Sequence, residues 1–91
     1  MASSFSKTVT IVNQLGLHAR AATKLAQLCQ QFDAAIELQQ EGRTADASSV
    51  LALLMLASSK GKTVEVVTHG NQAEAALQSV VLLIESGFDE E

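Results

Sequence analysis

The chain has 91 residues, 47% of them hydrophobic but only 3% aromatic, and a formal net charge of −4. That length fits a single domain over residues 1–91 with a modest core of Leu, Val, Ile and Ala. The acidic balance lacks the basic stripe that neutralises nucleic-acid phosphates, so no nucleic-acid partner is expected.

Cys29 is the only cysteine, which leaves no intramolecular disulfide and no Cys-based metal centre to build. Residues 1–6 lack the charged-then-apolar pattern of a secretory signal. The longest apolar run, Val50 to Ala57, is eight residues, far short of the roughly 20 that a membrane-spanning helix needs. A cytoplasmic protein with no membrane partner is the expectation.

Residues 7–12 alternate, with Val9 and Ile11 on one side and Thr8 and Thr10 on the other, the period of a half-buried strand. Asn13 to Leu17 is then a loop. From Ala19 to Phe32 apolar residues recur at Ala22, Leu25, Ala26, Cys29 and Phe32, which predicts a first helix with Cys29 as a small buried hydrophobe. Residues 35–39 alternate again, and Glu41-Gly42 turns the chain into a short strand over 43–46, a hairpin. Arg43 reads as an edge-strand charge.

Ser48 or Ser49 caps a second helix over 50–57. This helix is apolar on every side, so it is either wholly buried or shows an apolar face to something else. Full burial is hard to reach for a few helices on one sheet, which predicts an exposed docking patch including Val50, Leu51 and Leu54; a short core helix is the plainer alternative. Lys60-Gly61-Lys62 marks a turn, residues 63–68 form the last strand, and His69 reads as a loop residue. Asn71 with Glu74 has the spacing of a capping box, Ala73, Leu77, Val80, Val81 and Ile84 make a buried stripe, and Gly87 stops the third helix. Asp89-Glu90-Glu91 reads as a solvated acidic tail. The order βαββαβα implies an α+β fold, an open-faced β-sandwich with a four-stranded antiparallel sheet and three helices on one face.

The chemistry concentrates where the first loop meets the first helix. The first turn of a helix offers unpaired N–H groups and partial positive charge, here the backbone of Ala19, Arg20 and Ala21, and attracts anions. His18 supplies a ring with a useful neutral, nucleophilic fraction at physiological pH, and Arg20 a permanently charged fork for phosphate oxygens. Together they suit a site that receives and releases a phosphoryl group with no metal or cofactor. A histidine before a helix also occurs as a simple cap or surface residue.

The run Gly16-Leu17-His18-Ala19-Arg20-Ala21-Ala22 resembles the active-site segment of the HPr phosphocarriers of the bacterial phosphotransferase system, Gly-Leu/Met-His-x-Arg-Pro-Ala. The likeness covers nearly the whole chain, including Ala47-Ser48-Ser49-Val50-Leu51 at the second helix. Leu51-Ala52-Leu53-Leu54-Met55-Leu56 and the ending Ser86 to Glu91 look more like the nitrogen-branch carriers of that family than the sugar-branch ones. Ala21 stands where the family has proline, and the chain contains no proline. Alanine keeps the helix start possible but adds a donor and loosens the unfolded chain by about 0.4–1 kcal/mol.

The resemblance implies a monomeric phosphocarrier, without turnover of its own. His18 would accept a phosphoryl group at Nδ1 from a phosphoenolpyruvate-dependent enzyme I and pass it to an enzyme IIA. It implies the same open-faced fold and places the apolar patch beside the histidine. Ser49 matches a serine that is a regulatory phosphorylation site in some members, although the helix cap is the favoured account, since serine caps helices for purely local reasons. Two other readings remain: a regulatory binding module that uses only the apolar second helix, and a dimeric small-ligand sensor.

Overall fold

The computed structural model describes residues 4–90. Strand β1 (Ser4–Thr10) leads to α1 (Ala19–Cys29), the hairpin β2 (Ala35–Gln40) and β3 (Arg43–Asp46), α2 (Val50–Leu56), β4 (Thr63–His69) and α3 (Ala73–Glu85). The four strands form one sheet in the order β1-β4-β2-β3, every neighbouring pair antiparallel. It is an α+β open-faced sandwich in which α3 packs over β1 and β4, α2 over β3, and α1 against both other helices.

Register explains which face is covered. Leu38 stands opposite Val66 on one side and Ala45 on the other, and Val9 stands opposite Val64, so alternate residues of all four strands line one face. All five of those residues are buried, beneath Ala22 and Leu25 of α1, Leu53 of α2 and Val80 and Ile84 of α3. The β2–β3 hairpin closes through Glu41 and Gly42 at φ 51° and 81°, the left-handed pair that matches the twist of adjoining strands. Arg43 then reaches back to the carbonyl oxygens of Leu56 at 2.8 Å and Met55 at 3.4 Å. It is therefore a cap on the C-terminus of α2, where a cation meets unpaired carbonyls, and not merely an edge-strand charge.

Three other expectations shift. Residues 4–6 extend β1 while Ile11 and Val12 leave it, because the Ile11 N–H and carbonyl are taken by Lys62 and Gly61 of the turn before β4. The first helix ends at Cys29, short of Phe32. The cap of α3 is Gln72, whose side chain makes no bond to the helix amides but accepts the Asp33 N–H at 2.6 Å, and the Asn71 amide donates to the Asp33 carboxylate at 2.9 Å, so both tie the start of α3 to the loop before β2.

Candidate functional site

The loop after β1 is held from two sides. Gly16 takes φ +64°, and the N–H of Leu17 donates to the carbonyl of Ser58, just beyond α2, at 2.9 Å. A Cβ on Gly16 would lie 2.6 Å from that same carbonyl oxygen, so the close approach and the left-handed turn both require glycine. With Leu17 buried, the next residue emerges at a fixed point.

That residue is His18, and it occupies the N-cap of α1 in extended conformation, φ −80° and ψ −179°. Its carbonyl accepts the N–H of Ala22 at 2.8 Å, the first bond of the helix. The amides of Ala19, Arg20 and Ala21 find no acceptor among the described residues, and no acidic side chain sits in that turn. Ala21, Ala22 and Leu25 are fully buried behind it, so the unpaired donors are aimed by a packed helix. Leu15, His18, Arg20 and Glu90 line an open hollow of about 400 Å³ in front of them. Arg20 is exposed and forms no ion pair among the described residues.

Glu90 is the residue that sequence reasoning missed. The C-terminal segment is no solvated tail up to that point: Phe88 is fully buried, Lys24 Nζ donates to the Phe88 carbonyl at 2.7 Å, and Glu90 folds back onto the histidine. His18 Nε2 bonds to Glu90 Oε2, while Asn13 Nδ2 donates to Glu90 Oε1 at 3.1 Å and to the Gly16 carbonyl at 2.8 Å. The His18 and Glu90 side chains keep 25% and 18% of their exposure, so the pair is sheltered yet reachable. The hydrogen bond from His18 holds the Glu90 carboxyl below the usual carboxylate range, against its partial desolvation and with help from Asn13 and the charges of His18 and Lys24. A large apolar residue set in an acidic ending, Phe88, was the one hint in the sequence that this segment docks. Glu91 lies outside the described residues.

On α2, Leu51 is 69% and Leu54 38% exposed, Val50 is half-buried, and Met55 adds an exposure of 70%; Leu15, in the loop before α1 and on the rim of the hollow, is 69% exposed. Leu53 and Leu56 face the core. Ser49 is the N-cap, its Oγ accepting the N–H of Ala52 at 3.2 Å, while Ser48 donates to Asp46. Cys29 is buried, and that burial, with the charge of Asp46 adding to it, pushes its thiol up to about 12. A second groove, about 420 Å³, lies at the other end of α1 beside Cys29, Glu37, Asp46 and His69; its carboxylates suit no phosphate. His69 itself is the exposed last residue of β4 rather than part of a loop. Among the described residues no three His, Cys, Asp or Glu side chains gather closely enough to hold a metal ion. No described helix is long and apolar enough to cross a membrane.

Residues 5–86 match the family model described as the PTS HPr component phosphorylation site. The phosphocarrier protein NPr of Escherichia coli (strain K12) is 54% identical over 93% of this chain and 96% of its own length. The NPr of Shewanella violacea is 49% identical over 97% of both chains. Among solved structures, an HPr from Thermoanaerobacter tengcongensis superposes with a TM-score of 0.91 at 33% identity, covering 96% of this chain and 98% of the other. A histidine capping a helix whose first amides are free, on this sheet and in this sequence context, thus has close relatives of known kind: the chain belongs to the HPr family of phosphotransferase-system phosphocarriers and is NPr-like.

Proposed function

We propose that the protein is the phosphoryl carrier of a nitrogen-branch phosphotransferase chain, taking the group from a phosphohistidine of enzyme I and delivering it to a histidine of an enzyme IIA. The observation that carries this reading is His18 at the N-cap of α1, beside three unpaired amides and an uncommitted arginine. The Nδ1 lone pair attacks phosphorus in line, the N–P bond of the donor breaks, and its electron pair returns to the donor ring. Arg20 and the amides of Ala19, Arg20 and Ala21 hold the equatorial oxygens while charge redistributes. One arginine and a few amides grip a phosphoryl group modestly, which suits a group that must leave again. The hollow is open, as a site must be that meets one protein and then another.

Leu51, Leu54 and Met55, with Val50 at the margin and Leu15 beside the hollow, supply the docking surface for both partners, since exposed large apolar side chains are what a transient interface buries. Ser49 serves as a helix cap. The carrier acts as a cytoplasmic monomer without cofactor. The nitrogen branch rests on the likeness to NPr proteins. Its test is a relay with purified nitrogen-branch and sugar-branch enzyme I offered in parallel with phosphoenolpyruvate, followed by an enzyme IIA of each branch. Faster phosphorylation by the nitrogen-branch donor supports the assignment. Equal or faster phosphorylation by the sugar-branch donor overturns it.

A further inference from the structure

Resting on the carrier reading, the geometry points to Glu90 as a positioning residue for the transfer: its carboxylate fixes His18 as the Nε2–H tautomer, leaving the lone pair on Nδ1, and then faces the positive charge that the ring acquires with the phosphoryl group. A carboxylate only accepts hydrogen bonds, so a neutral ring bonded to Glu90 through Nε2 must carry its proton there. No described hydrogen bond engages Nδ1.

The carboxylate is itself held. Asn13 Nδ2 takes Glu90 Oε1 and, through the Gly16 carbonyl, links it to the loop that delivers the histidine. The backbone that brings Glu90 there is unusual. After Gly87 at φ 72°, Phe88 and Asp89 stand at φ 57° and 60°, and the Glu90 N–H closes a turn onto the Gly87 carbonyl at 3.1 Å. Bulky residues adopt left-handed backbone only against a conformational cost. Burial of Phe88 and the Lys24 bond to its carbonyl offset that cost and hold the hook. The other charged groups around the pair are Arg20 across the hollow, Lys24 on α1, Glu85 at the end of α3 and Asp89 in the hook.

The charge balance gives the carboxylate its second task. When Nδ1 forms its bond to phosphorus, the electron pair of the broken bond returns to the donor ring and no proton moves. The His18 ring, bonded to phosphorus at Nδ1 and to hydrogen at Nε2, becomes cationic as the donor ring loses its positive charge. Glu90 faces that new charge from the Nε2 side, while Arg20 and the helix amides serve the phosphoryl oxygens. An interaction that strengthens as charge develops accelerates the step rather than merely holding the ring.

The test joins a ring measurement to a rate, using the full chain as wild type, Glu90→Ala and Glu90→Asp. Imidazole 15N NMR on unphosphorylated protein, at a pH where the ring is neutral, should show wild-type Nε2 protonated and Nδ1 bare. In Glu90→Ala the two nitrogen shifts should move toward each other as the tautomers mix. Phosphorylation of His18 by enzyme I should slow roughly three- to tenfold in Glu90→Ala, the order expected for one charge-assisted hydrogen bond at a partly exposed site, with partial recovery in Glu90→Asp. A wild-type ring protonated at Nδ1, or an alanine variant with unchanged nitrogen shifts and an unchanged rate, overturns the assignment. A wild type that takes up no phosphoryl group refutes the carrier reading instead, and the tautomer of that same sample still decides whether Glu90 sets the ring.

Discussion

Replacing Gly16 with alanine should be among the most damaging single-methyl changes in this protein, and its cost can be built from two parts. At φ +64° an L-residue is strained by about 1–2 kcal/mol. The new Cβ would also lie 2.6 Å from the Ser58 oxygen and 2.8 Å from the Ser59 Cα. Both are backbone atoms, so the connection from α2 to β4 must move, and the Leu17 to Ser58 hydrogen bond moves with it. Overpacking of this kind adds about 1–3 kcal/mol, giving about 2–5 kcal/mol in all. Gly42→Ala is the matched control: its φ is +81° but nothing lies within 4 Å of the added Cβ, so only the conformational part applies. In a domain this small each kcal/mol shifts Tm by about 4–8 °C, which separates the two variants clearly. Far-UV circular dichroism is the suitable probe because the chain has no Trp or Tyr. Should Gly16→Ala melt no lower than Gly42→Ala, the claim that the histidine loop is pressed against the α2–β4 connection is wrong.

Ser49→Ala should lose about 1 kcal/mol in urea unfolding through the missing cap on Ala52, whereas Ser49→Asp, also a good cap, should stay near wild type. Leu51→Glu, at a side chain 69% exposed, should change stability by less than about 0.5 kcal/mol yet slow phosphorylation by enzyme I; an unaltered rate would remove α2 from the docking surface. The Cys29 thiol stays protonated in the fold to about 12 while the unfolded thiol ionises near its ordinary 9.0. The native state therefore holds the extra proton in that window, and stability should fall as pH rises through it, a decline that Cys29→Ala abolishes. Glu90 runs the opposite way: its folded value is lowered, so its contribution is present above the ordinary 4.5 and fades as pH falls through the folded value, and Glu90→Ala should flatten the acid limb of the stability profile.

The fold was legible because its local signals agree with its packing. The stripe of α1, the alternation in β2 and β4 and the Glu41-Gly42 turn each specify an element that the fold then uses, with only its ends shifted, most of all α1, which stops at Cys29. What was not legible depends on contacts between residues far apart in sequence. Asn71 has the right spacing for a cap but prefers Asp33, 38 positions earlier, and Arg43 finds its carbonyls on α2 only once the hairpin has folded under that helix. The same division runs through the site. His18 and Arg20 are placed by local geometry at a helix start, a pattern visible in the seven residues from Gly16 to Ala22. Glu90 arrives from 72 residues away, on a hook whose left-handed backbone no propensity favours, so periodicity could only read it as a tail. The exposed face of α2 is intermediate: an all-apolar helix of seven residues announces surplus hydrophobicity, but the structure was needed to add Met55 to it.

The central claim, that His18 carries a phosphoryl group, is tested most directly by the intact mass of wild type and His18→Ala after incubation with phosphoenolpyruvate, magnesium and enzyme I. The wild type should gain one phosphoryl group, lost in acid and kept in base, and the variant none. Equal labelling of both proteins, or none on the wild type with enzyme I of either branch, would contradict it.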